Sequence, residues 1–316
     1  MSLVIDSLSE EDVERANLIF RTAFAKFLNV EPESLWGDSD LFRTRWRAPN
    51  TRVIAARQDG SLVGSNVLTR WGSLGWFGPL TIEPSLWDKG IAKALMVETE
   101  RIFDEWGVTH RGLFTFSHSP KHIGLYQKFG YWPGRLTPIY SRTAEAHGAS
   151  ESPLANVVSF ADLDQSRQAD SLRQVRELGN RLLPGLDVTG EVLSVLDQKL
   201  GATLLRFDDG ALDGVAVCHT GAGSEAGSGN TYLKFGAIAP GANREPRLSA
   251  LLRGVEDFAL SRRAPSIGLG CNTAHRVTSA VLRRSGYRPE FVGVSMLSPD
   301  DGAYHRDEFD VLDDLR

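Results

Sequence analysis

The sequence predicts an α/β (α+β) protein built from two tandem copies of one fold, each a mixed, mostly antiparallel central sheet flanked by helices. Three observations carry this reading. The chain has 316 residues, about right for two domains of roughly 150 each. Strand-like and helix-like hydrophobic periods alternate along it. The second half also repeats the first: Asp59-Gly60 and Gly64 recur as Asp209-Gly210 and Gly214. At a shift of 156, Ile82, Pro84, Leu95, Gly112, Gly130 and Tyr131 meet Ile238, Pro240, Leu251, Gly268, Gly286 and Tyr287 without a gap. Matches in that order point to an internal duplication.

In chain order, Ser9 followed by Glu10, Glu11 and Asp12 is a helix start, and Val13, Ala16, Ile19, Phe20, Ala23 and Phe24 continue it at helical spacing, so residues 9 to 28 read as an amphipathic helix. A loop with Glu31, Pro32, Glu33, Gly37 and Asp38 leads to a short helix over Ser39 to Trp46. The period then changes. Arg52 to Arg57 and Leu62 to Trp71 form a hairpin about Asp59-Gly60. Trp76 to Ile82 adds a third strand, which Pro84 stops because proline cannot donate to a ladder. Ile91, Ala94, Leu95, Glu98, Ile102 and Trp106 make Asp88 to Trp106 a long helix closed by Gly107. A strand over Leu113 to Phe116, a short helix over Pro120 to Lys128 and a last strand over Leu136 to Arg142 finish the copy.

The expected boundaries are 1–142 for the first domain, 143–153 for a small, polar linker, 154–297 for the second domain and 298–316 for an acidic tail. Phe309, Val311, Leu312 and Leu315 suggest that this tail docks.

Composition narrows the function. There are 35 Lys plus Arg against 40 Asp plus Glu, a formal charge of −5, and no basic block that could track a phosphate backbone, so no nucleic-acid partner is expected. No apolar run is long enough for a membrane span, and the acidic N-terminus lacks the layout of a secretory signal. Cys218 and Cys271 both sit in apolar, strand-like runs, as buried thiols do in a reducing compartment. A cytoplasmic protein without a structural metal is the expectation, monomeric or homodimeric.

The chemistry concentrates in Leu80 to Leu95, where a strand ends and a glycine-containing turn opens a helix. The first amides of a helix have no partner within it and lie at the positive end of its dipole, which suits a pyrophosphate. Gly90 and Ala92 are small where a phosphate must approach. By itself a G-x-A at a helix start also fits tight helix–sheet packing. The order of elements adds weight, because few folds share it.

That order, with Gly90-Ile91-Ala92 after Ile82-Glu83-Pro84 and with Leu125-Tyr126-Gln127-Lys128-Phe129-Gly130-Tyr131 downstream, resembles the GNAT superfamily of N-acetyltransferases. The resemblance covers residues 4 to 142, and residues 156 to 297 through the repeat. It implies two tandem GNAT folds, with acetyl-CoA as co-substrate and a small-molecule or peptide amine as acceptor. It implies pairing of the pantetheine arm with the backbone of Leu80, Thr81 and Ile82, and a pyrophosphate on the amides of Lys89, Gly90, Ile91, Ala92 and Lys93. Tyr126 matches the tyrosine that protonates the departing thiolate in many members. Ser119 stands where the family often has an asparagine near the coenzyme. Trp87 replaces the Gln or Arg that usually opens the turn, which puts a side-chain contact in doubt but not the backbone contacts.

Glu83 and His118 are the candidates for a base that removes the proton of the attacking amine, and a water could serve instead. In the repeat, Gly90, Ala92 and Tyr126 align with Pro246, Leu248 and Leu282, which removes an amide donor and the acid, so the second domain is expected to be non-catalytic. Two rival readings exist: an acyl-CoA-binding sensor or scaffold that does not turn over, and an aminoacyl-tRNA-dependent transferase of paired GNAT folds. The intact Gly90 and Ala92 and the acidic balance oppose the second.

Overall fold

A computed structural model describes residues 2–145 and 156–316. The first half runs β1 (Leu3–Ser7), α1 (Val13–Leu28), α2 (Leu41–Trp46), β2 (Thr51–Gln58), β3 (Ser61–Trp71), β4 (Leu74–Ile82), α3 (Ile91–Trp106), β5 (His110–Phe116), α4 (Pro120–Gln127) and β6 (Trp132–Thr143). The second half repeats that order as β7 (Val157–Ser159), α5 (Gln165–Leu182), α6 (Thr189–Gln198), β8 (Gly201–Asp208), β9 (Ala211–Gly221), β10 (Gly227–Ile238), α7 (Arg244–Ser261), β11 (Ser266–Gly270), α8 (Arg276–Arg284) and β12 (Arg288–Ser298), and adds β13 (Asp310–Leu312). Pro120 and Arg276 open α4 and α8, and Trp132 and Arg288 open β6 and β12, in each case at the shift seen in the sequence.

Local chemistry explains the boundaries. Asp59 and Gly60 both take positive φ, 49° and 84°, the geometry a tight hairpin turn demands. The helix expected from residue 9 begins only at Val13: the Ser9 hydroxyl donates to Asp12 instead of capping, and Glu10–Asp12 form a single 3-10 turn. The helix expected from Asp88 begins at Ile91, because Gly90 just before it is left-handed (φ 82°). Asp40 caps α2 by accepting from the Arg43 amide, which moves that start from Ser39 to Leu41. Of the expected linker, Thr143 ends β6, and residues 146–153 lie outside the described residues.

All thirteen strands join one sheet in the order β1-β2-β3-β4-β5-β12-β6-β11-β10-β9-β8-β7, with β13 on β10. The two halves have exchanged their last strands. β12 of the second half pairs with β5 of the first, and β6 of the first pairs with β11 of the second, while β6 and β12 pair with each other in the middle. The helices α1 and α2 pack on Val53, Ala55 and Val67, and α5 and α6 on Trp71, Trp76 and Phe235. On the opposite face α3 covers Ile54, Phe77 and Leu113, and α7 covers Ala216, Leu233 and Leu269.

Between the halves lies a buried ionic cluster. Arg45, 1% exposed, donates to Glu225 from Nε (3.1 Å) and Nη2 (2.7 Å), to the Gly78 carbonyl (2.6 Å) and to the Arg316 carbonyl. Lys234 bridges Glu225 (2.7 Å) and Glu191 (3.0 Å), and Glu191 also accepts from the Trp71 indole. Burial alone would raise the Glu225 carboxyl, but Arg45 and Lys234 hold it well below the usual range. Glu225→Gln leaves two buried cations facing one carboxylate, so a loss of about 3–5 kcal/mol of stability is expected. The check is the urea midpoint, read at unchanged slope.

Candidate active site

The parallel strands β4 and β5 pair from Leu74↔His110 to Phe77↔Leu113 and then part, although β4 continues to Ile82 and β5 to Phe116. A bulge marks the parting. On β3 one residue separates Asn66 from Leu68, while on β4 Gly78 and Pro79 separate Phe77 from Leu80. A bulge bends its strand, and Arg45 holds this one through the Gly78 carbonyl. The result is a wedge between two splayed strands, with the sheet edges of Leu80, Thr81 and Ile82 on one arm.

Beyond Ile82 the chain turns through Pro84–Leu86 and reaches Gly90. A Cβ built on Gly90 meets nothing within 4 Å, so the helix start opens onto free space. There Lys89, Gly90, Ile91, Ala92 and Lys93 present the amides that α3 cannot satisfy internally. Unpaired amides at an open helix start are chemically suited to a diphosphate. Trp87 folds back over the strand end: its indole donates to the Ile82 carbonyl at 2.9 Å, and Lys121 lies 5.5 Å over its ring while pairing with Asp88. The residue that departs from the usual turn sequence thus braces the end of the β4 arm.

Tyr126, on α4, is 7% exposed and meets Phe77, the last paired residue of β4, edge-on at 5.6 Å. Its position is therefore the crotch of the wedge. Burial raises its phenol above the ordinary value, which keeps the proton on through neutral pH. Ser119 is buried as the N-cap of α4 and accepts from the His122 amide. Glu83 is engaged by Arg15 of α1 at 2.7 Å. His118 is exposed on the loop after β5 and helps line a shallow cavity of about 390 Å³ with Pro120, Ile123 and Gln127.

The sequence reading passed over His122. It lies one turn before Tyr126 on the same face of α4, with its ring 4.9 Å from Phe27 and 5.9 Å from Phe116. Burial, with Lys121 and His118 nearby, lowers its pKa below the ordinary imidazole value, so it is neutral at pH 7. The signal was in the spacing: a residue four before a site tyrosine on a helix shares its face.

The second half has the same wedge, already filled. There β10 leaves β11 after Leu233↔Leu269, the positions equivalent to Phe77 and Leu113. Gly236, Ala237 and Ile238, which correspond to Leu80, Thr81 and Ile82, then pair with Leu312, Val311 and Asp310 of β13. Asp310 is fixed by Arg244 (2.6 Å) and Thr278 (2.8 Å), and the tail packs so closely on β11 that a Cβ on Gly270 would lie 2.4 Å from Asp314. Pro246 sits in the first turn of α7, Leu248 is buried at the place of Ala92, and Leu282 is buried at the place of Tyr126. The acidic tail thus docks as a strand.

Comparison with known proteins agrees with this geometry. Residues 21–131, about a third of the chain, match the profile of the acetyltransferase (GNAT) family. Similar solved structures include an acetyltransferase-like protein from Pyrococcus horikoshii, 13% identical over 97% of this chain and 92% of that one, with a TM-score of 0.68. A GCN5-related N-acetyltransferase from Sphaerobacter thermophilus is 15% identical over 93% of this chain and 95% of the other, with a TM-score of 0.61. A tandem GNAT protein from the clavulanic acid biosynthesis pathway is 14% identical over 94% and 98%, with a TM-score of 0.58. At these identities the likeness is one of fold. No curated protein sequence matches the chain significantly. The α/β fold class expected from the sequence, with mostly antiparallel strands flanked by helices, is the one observed, and the two expected central sheets are joined into one. Among the described residues no helix is long and apolar enough to cross a membrane.

Proposed function

We propose that the protein is an N-acetyltransferase that moves the acetyl group of acetyl-CoA directly to a primary amine, with the chemistry in the first half. The observation that carries this reading is the contrast between two equivalent wedges: in the first, β4 beyond Phe77 leaves β5 with no strand among the described residues between them and open space at Gly90, and the second is filled by β13. The free edges of Leu80, Thr81 and Ile82 would hold the coenzyme's arm, and the amides of Lys89 to Lys93 its pyrophosphate. The coenzyme supplies the activated thioester.

The chain's own residues then manage two protons. Tyr126 gives its phenolic proton to the sulfur as the carbon–sulfur bond breaks, a transfer that has to be concerted because burial makes the phenol a weak acid. Of the groups that could take the amine's proton, Glu83 is committed to Arg15. His122 is neutral, unencumbered by an ion pair and on the face of Tyr126, so it takes the proton, and His118 at the mouth relays it to solvent. The second half serves as a non-catalytic buttress that also completes the sheet beside β5.

Titration calorimetry is expected to give one acetyl-CoA per chain, and free-thiol release is expected to rise when an amine is added. Two sites per chain would refute the assignment of the halves. Binding without amine-dependent thiol release would favour a sensor or scaffold of the same fold, and no binding at all would refute both.

A further inference from the structure

A continuous wall of rings lines the side of the wedge away from the coenzyme cradle. Phe27 of α1 lies 4.4 Å from Phe116 at the end of β5, and Phe24 lies 5.7 Å from it. Phe291, on the exchanged strand β12, closes on Phe116 at 5.5 Å. Trp36, after α1, meets Phe24 at 5.3 Å and remains 37% exposed. His122 touches both Phe27 and Phe116, so the wall begins four residues, about one helical turn, before Tyr126 on α4. Leu28 and Val30, in the same α1–α2 connection, are also exposed. Aromatic and aliphatic surface gathered in this way beside a reaction centre is characteristic of a binding surface and not of ordinary protein exterior.

The charges near the wall point the same way. Glu83, the carboxylate at the end of the β4 arm, is paired with Arg15, and Glu31 and Glu33 are exposed on the turn at Pro32–Ser34. Arg21 lies behind that turn and donates to the Leu35 and Ser39 carbonyls. The wall itself is built of rings and not of carboxylates, so it favours an aromatic body over a polycation. A single ammonium is served by ring faces and by the neutral imidazole.

Resting on the acetyltransferase reading, we propose that the acceptor is a primary amine carried on a bulky aromatic body, which lies on Phe27, Phe116 and Phe291 while its nitrogen reaches the thioester. The ammonium gives up one proton to solvent and attacks as the free amine; the N–C bond forms at the thioester carbon as the C–S bond breaks, the proton left on nitrogen goes to His122, and the Tyr126 proton goes to the sulfur. Phe291 gives the second half a direct part in choosing the acceptor.

The test is thiol release by the full chain with 2-phenylethylamine and tryptamine set against putrescine and spermidine. The expected result is a kcat/KM at least about tenfold higher for the arylalkylamines. Phe27→Ala and Phe291→Ala, checked for an unchanged melting transition, should raise KM for 2-phenylethylamine by about tenfold or more, the effect of losing one ring's apolar contact, with KM for acetyl-CoA unchanged. Preference for the polyamines would overturn the proposal. So would failure to use arylalkylamines while acetyl-CoA binds, or equal KM in a folded ring variant. Absence of acetyl-CoA binding would instead strike the underlying acetyltransferase reading.

Discussion

Gly90→Asp is expected to weaken acetyl-CoA binding by at least a hundredfold, about 2.7 kcal/mol, without dismantling the fold. A Cβ at Gly90 would meet no heavy atom within 4 Å, so the aspartate side chain has room to leave the backbone at the start of α3. It would bring a negative charge to the place where a diphosphate needs positive dipoles. The left-handed backbone at Gly90 adds a conformational cost for any side chain, about 1–2 kcal/mol. Gly90→Asn separates the two effects, since asparagine bears a similar backbone cost without the charge. Titration calorimetry on both variants, beside thermal melts, gives the comparison. Normal affinity in the aspartate variant would show that the coenzyme does not use this turn.

Tyr126→Phe is expected to lower turnover by roughly 10²- to 10⁴-fold, the usual span for a general acid, with acetyl-CoA affinity retained. The phenylalanine keeps the edge-on contact with Phe77, so packing should change little. Single-turnover kinetics beside calorimetry would separate the chemical step from binding. A variant as fast as the parent would take Tyr126 out of the reaction and leave solvent as the proton source.

Much of this architecture was legible because it rests on local rules. Asp59-Gly60 demanded a hairpin, Pro84 a strand end and Gly107 a helix end, and each stands where those residues put it. The repeat was legible too, and the structure carries its shift to Pro120 and Arg276 at the starts of α4 and α8. What escaped depends on partners distant in sequence. A period of two says that Leu136 to Arg142 is a strand but not that it leaves its own half for β11. The sequence suggests that the tail docks but not how its charges are met: Asp310, Asp313 and Asp314 are all buried, with Arg244 and Thr278 holding Asp310, Tyr304 donating to Asp313, and Tyr232 donating to Asp314. Nothing local marks Arg45 as buried, since its counter-ion Glu225 lies 180 positions away.

The exchange of final strands sets a timetable for biosynthesis. While the ribosome is still making the second half, the first has no neighbour for the outer edge of β5, and Phe116 has no Phe291 beside it. That naked edge can pair with any passing strand. A working reaction centre therefore waits until residue 298 has emerged, and a gene cut between the halves would yield two adhesive fragments in place of one enzyme and one spare part.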